Sequence, residues 1–140
     1  MSLQNFPVSN PQSCCQVVVE RITQLVPPLD TSAPVGEQKS VQAQIEKVCA
    51  GKVVVCGVVR KTITYLDRFG VVQNREDAIP FECFIDREDA NEGDLFFVVG
   101  ADILCTVFAE PANFSQDGSL AFKWVEKEIV KVCIRKIPTR

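Results

Sequence analysis

The chain contains no histidine, which removes the commonest general base and the usual partner of a nucleophilic serine or cysteine. That argues against triad hydrolysis. It has no Cys-x-x-Cys pair, and its seven cysteines are scattered from Cys14 to Cys133, so a zinc site would need four distant thiolates. The glycines Gly70, Gly93, Gly100 and Gly118 stand alone, so no phosphate-cradling loop is present. The acidic stretch from Arg87 to Asp94, REDANEGD, lacks the ligand spacing of a helical calcium loop and reads as a solvated loop. No catalytic residue, cofactor site or metal ligand is expected, and the enzyme class is set aside. Basic residues are also short: 15 Lys and Arg against 18 Asp and Glu give a net charge of −3 and a pI near 5.0. A polyanion such as nucleic acid is therefore not an expected partner. The longest apolar run, Leu95 to Ala109, contains Asp102 and is too short for a bilayer-spanning helix, so no membrane partner is expected either. The opening MSLQNFPVSN has neither the positive nor the apolar region of a secretory signal.

What is present is strand pattern. With 140 residues, 46% hydrophobic and 24% charged, the chain is long enough for one domain with a real core. In KVVVCGVVRKTITYL, from Lys52 to Leu66, Val53, Val55, Gly57, Val59, Ile63 and Tyr65 share one face, broken only by Lys61. The segment AIPFECFID puts Ile79, Phe81, Cys83 and Ile85 together, with Pro80 near the strand start. Leu95 to Glu110 is apolar on both faces, as for a central or covered strand. The C-terminal LAFKWVEKEIVKVCIRKI alternates, with a phase slip near Lys127-Glu128 that reads as a bulge or a strand boundary. Val17 to Val26 reads as strand more than helix, because three consecutive valines are poor helix formers; Pro27-Pro28 should end it. These segments sum to seven or eight strands, and the fold class is all-β: an antiparallel β-sandwich, jelly-roll-like, with an N-terminal extension. The expected organisation is an arm at 1–16 and a single sandwich domain at 17–140.

The stretch Ser13-Cys14-Cys15-Gln16-Val17-Val18-Val19 places two adjacent thiols at the root of a β-branched run. Adjacent cysteines rarely bond each other, because that closes a strained ring, so each needs a partner elsewhere. By face, Cys83 and Cys105 sit among apolar residues and are expected to be buried and inert. Cys56 and Cys133 share faces with Arg60 and Lys131, Cys49 lies in a turn, and Cys14 and Cys15 lie on the arm. The candidates for intermolecular disulfides are thus Cys14, Cys15, Cys49, Cys56 and Cys133. Val17, Val18 and Val19 could add a strand to the sheet edge of a neighbouring copy. Such a head-to-tail contact does not close on itself and yields rings or fibres.

The order VQAQIEKVCAGKVVVCGVVRKTITYLD, GVV, IPFECFID and DANEGD resembles the SPOCS domain of bacterial endospore coat and exosporium morphogenesis proteins. The residues that carry the resemblance are Gly51-Lys52-Val53, Gly57, Tyr65-Leu66-Asp67, Ile79-Pro80-Phe81 and Gly93-Asp94, within a match from about Val17 to Lys136. The resemblance implies an all-β fold, a place on the spore surface, synthesis in the mother-cell cytoplasm without a signal peptide, protein partners, and no catalytic residues. Spore surfaces mature outside the reducing cytosol, where disulfides persist. The functional expectation is a self-assembling structural protein of the coat or exosporium, a homopolymer that also meets other coat proteins. The alternatives are a monomeric module docking onto another coat protein, or a viral or phage jelly-roll structural protein.

Overall fold

The computed structural model describes residues 10–138, and it is a sandwich of two antiparallel three-stranded sheets. The strands are β1 (Ser13–Asp30), β2 (Gly36–Cys49), β3 (Lys52–Leu66), β4 (Val72–Asp86), β5 (Phe96–Phe114) and β6 (Leu120–Lys136). Sheet A has the order β1-β6-β5, and sheet B is the meander β2-β3-β4. Among the described residues there are six strands where seven or eight were expected, because three segments run on as single long strands. β1 continues past Pro27-Pro28 with a register break between Gln24 and Leu29, β4 joins Val72 to Asp86 without interruption, and β5 includes Pro111. All three are sheet edges, where a missing N–H can face away from the ladder.

The period-2 reading of the central strands holds. Val53, Val55, Val59, Ile63 and Tyr65 of β3 are buried, facing Val130, Val132 and Ile134 of β6 in one apolar cluster and Trp124 and Ala121 in another. The β2–β3 turn closes on Gly51, whose φ of +79° lies in the left-handed region that glycine enters without steric cost. Gly57 has a different reason to be glycine. A Cβ there would stand 2.4 Å from the Phe81 ring and 2.5 Å from the Gln42 carbonyl oxygen, so the bare backbone is what lets that ring lie across β3.

β5 departs from simple alternation. Its pairing with β6 shifts between Val98 and Gly100, between Ile103 and Cys105, and between Thr106 and Phe108. Each bulge adds one residue and reverses which face the following side chains take. The inward set becomes Val98, Ala101, Ile103 and Ala109, and Cys105 pairs with Ile129 on the outer face. β6 has no such slip: Trp124, Glu126, Glu128 and Val130 all point inward and are buried. The apparent phase change at Lys127-Glu128 is two carboxylates in core positions.

The loop Arg87–Asp94 is not wholly solvated. Arg87 is buried and donates to Asp89 at 2.6 Å, to the Pro11 carbonyl at 2.6 Å and to the Ser13 hydroxyl at 3.0 Å, with its guanidinium over the Phe96 ring. It fastens the start of β1 to the β4–β5 connection. The expected boundary at residue 16 accordingly falls inside β1, whose Ser13, Cys14, Cys15 and Gln16 pair with Ile134, Cys133, Val132 and Lys131. Residues 1–9 of the expected arm lie outside the described residues.

Candidate functional site: thiols, sheet edges and a buried ionic layer

Successive residues of a strand point to opposite faces, and this decides the fate of the two adjacent thiols. Cys14 points outward and bonds Cys133, its cross-strand neighbour on β6; Cys15 points inward and bonds Cys83 of β4 in the other sheet. The first bond ties β1 into sheet A and the second ties sheet A to sheet B. Cys14, Cys15 and Cys133 were expected to link copies; in this fold both bonds join residues of one chain. Cys83, expected inert, is one of the bonded thiols, since the topology brings β4 beside β1.

Three thiols are free: Cys49 and Cys56, both half-buried, and Cys105, exposed. Cys49 ends β2. Cys56 lies on the outer face of sheet B between Gln44 and Glu82, and the Gln44 amide donates to its sulfur at 3.7 Å. Cys105 was expected in the core and is outside it because of the bulge after Ile103. Val17, Val18 and Val19 form the middle of β1 and pair with Val130, Ile129 and Glu128, so one side of the strand is already used. Among the described residues the other side of Val17–Val19 is unpaired, since β1 is an edge strand, as are β5, β2 and β4; further along, Leu29 bridges Asp67.

Between the two apolar clusters lies a layer of charge that sequence reasoning missed. Glu126 and Glu128 of β6 are fully buried and face Lys39 of β2 and Lys61 of β3. Lys39 stands 2.8 Å from Glu128, 3.2 Å from Glu126 and 2.5 Å from Glu37, and Lys61 pairs with Glu126. On the β1 side, Arg21 and Thr23 hold Asp77 at 2.9 Å and 3.2 Å. Burial works against the charged form of Lys39, but the Glu128 and Glu37 carboxylates outweigh it and hold its pKa above the ordinary lysine value. Lys61, with its side chain wholly enclosed, is pushed down to about 8 by desolvation, against the pull of Asp77, Glu37 and Glu128. The signal was present in the sequence: Lys61 interrupts an apolar face, and Glu126 and Glu128 stand between Trp124 and Val130 at core spacing.

The family-like motif residues are explained by the fold. The Tyr65 hydroxyl donates to the Pro27 carbonyl at 2.7 Å. Asp67 accepts from the backbone of Phe69 and Val71 and from Gln73, which closes the β3–β4 turn. Phe81 covers Gly57, and Asp94 receives the Asn91 backbone N–H and pairs with Lys136 at 2.9 Å. Each fixes a turn or a packing contact.

Residues 37–114 match the family model described as SipL, SPOCS domain; they run from β2 to the end of β5, taking in all of sheet B bar Gly36 and the loop that carries Arg87. No curated protein and no solved structure matches the chain.

Proposed function

Given that the chain belongs to the SPOCS-domain family and has a spore-associated role, we propose that it is a structural, self-associating protein of the spore surface, in the coat or exosporium. Its copies join through the N-terminal strand and through disulfides between chains. One observation carries this reading. β1 is an edge strand that bears both of its thiols at its N-terminal end, and its pairing breaks at Pro27-Pro28, between Gln24 and Leu29. A β1 segment that leaves its own body at that break and lies on the β6 of a neighbour satisfies the same register through Val17, Val18 and Val19. It also meets the same sulfurs, Cys133 and Cys83, now in a second chain. Exchange of an identical element between copies costs little, because the pairing given up within one body is remade on the next, and when each copy donates to the next the product is a fibre or a layer.

The test mixes reduced protein of natural isotope content with uniformly nitrogen-15-labelled protein, lets the mixture oxidise, and maps disulfide-linked peptides by mass. Exchange predicts Cys14–Cys133 and Cys15–Cys83 peptides of hybrid isotope content, approaching half of the total. A stable monomer with no hybrid peptide would refute self-association and favour the docking module.

A further inference from the structure

The free thiols Cys56 and Cys105 lie on opposite outer faces of the sandwich, Cys56 on sheet B and Cys105 on sheet A. Their surroundings are complementary. Cys105 pairs with Ile129, and the neighbouring outward positions of β6 on either side are Lys127 and Lys131, whose cross-strand partners are Glu20 of β1 and Asp102 of β5. Around Cys56 the charge is negative: Glu82 is its cross-strand partner, and Glu46 reaches across β3 to share a hydrogen bond with Glu82, which raises the Glu46 pKa. Both faces also carry apolar side chains open to solvent, Val18 and Ile22 on sheet A and Phe84 on sheet B. The faces are large enough to hold a partner. Strands of 14 or 15 residues rising about 3.3 Å per residue and spaced about 4.8 Å apart give sheet B a face of roughly 700 Å². That approaches the roughly 800 Å² per partner of a standard interface.

We propose that the outer face of sheet A of one copy stacks on the outer face of sheet B of the next, setting Cys105 against Cys56 and joining the two by an interchain disulfide. The occupant of each face is a second copy of this chain, because every copy carries lysines beside Cys105 on one face and carboxylates beside Cys56 on the other. The contact is heterologous and does not close, so it propagates. It rests on the self-association proposed above and uses thiols that the exchange of β1 leaves free. The chemistry balances with dioxygen as oxidant: two S–H bonds break, one S–S bond forms, and two protons and two electrons pass to dioxygen to give hydrogen peroxide.

The experiment uses the full chain in a Cys49→Ser background, oxidised in air and read on non-reducing gels with peptide mapping. The parent should give a ladder and a linked Cys56–Cys105 peptide. Cys56→Ser and Cys105→Ser should each fail to form that peptide, and an equal mixture of the two should restore it. Lys127→Glu should slow the link at least tenfold at low salt, with the rate restored against a partner carrying Glu82→Lys. A Cys105–Cys105 dimer would overturn the head-to-tail arrangement. Association by light scattering without the Cys56–Cys105 link would overturn the stacking and leave the exchange of β1 standing, whereas no association at any concentration would overturn both.

Discussion

Replacing Cys15 and Cys83 together by alanine removes the disulfide between the sheets, and its cost follows from the length of chain it closes. The two residues are 68 apart, and the chain-entropy relation gives about 4.4 kcal/mol for such a loop at 25 °C. With Cys14–Cys133 intact the chain is already a ring, and dividing that ring contributes about 3.5 kcal/mol. Cys15 is also 9% exposed against the core, so trimming it to alanine adds about 1 kcal/mol of lost packing. The expected loss is about 4.5 kcal/mol, a large share of the 5–15 kcal/mol typical of a whole domain. Dilute monomer, unfolded in urea with no reductant, should show the midpoint fall by about 2 M at an unchanged slope of about 2 kcal/mol/M. By the same relation both bonds together contribute about 8.5 kcal/mol, so reductant should leave the wild type marginal at 37 °C. A variant that melts within about 0.3 M of the parent, or a reduced wild type with an unchanged midpoint, would show that these bonds do not hold the fold together.

The ionic layer gives three further expectations. Lys39→Met leaves Glu37, Glu126 and Glu128 with Lys61 alone and should cost about 3–5 kcal/mol, the penalty of an uncompensated buried charge; urea melts at pH 7 measure it. Glu126→Gln, which removes the ion-pair partner of the enclosed Lys61, should cost about 3–5 kcal/mol in the same assay. Lys61 titrates at about 8 in the folded chain and near 10.5 when unfolded, so between those values the unfolded state holds more protons and this group makes stability rise with pH. That rising component should vanish in Lys61→Met, as unfolding free energies measured from pH 7.5 to 10.5 would reveal. Gly57→Ala, which meets the Phe81 ring and the Gln42 carbonyl oxygen, should cost about 1–3 kcal/mol by overpacking, and a thermal melt that matches the parent would refute it.

The central strands were legible because burial on one face writes itself into alternate positions, as Val53, Val55, Val59 and Ile63 do. β5 was not. Its bulges insert single residues that no local pattern marks, so Cys105 reads as core from its neighbours Ile103 and Val107 yet faces outward. The disulfide partners lie 119 and 68 residues apart, and only the sheet order brings them together. That adjacent thiols must seek separate partners was readable; which partners was not. Lys61, Glu126 and Glu128 could have been found by taking the alternation literally and asking what a charge does at a core position. Asp67 and Gly57 stood out as motif residues, and the closeness of Gly57 to Phe81 needed the register of β3 on β4.

Self-association is read most plainly from particle mass. Protein purified reduced, then oxidised at rising concentration and examined by light scattering with negative-stain electron microscopy, should pass from a 15.5 kDa species to ordered fibres or sheets that reductant disperses. A single 15.5 kDa species at every concentration, with both disulfides formed and no ordered particle on the grid, would contradict the account.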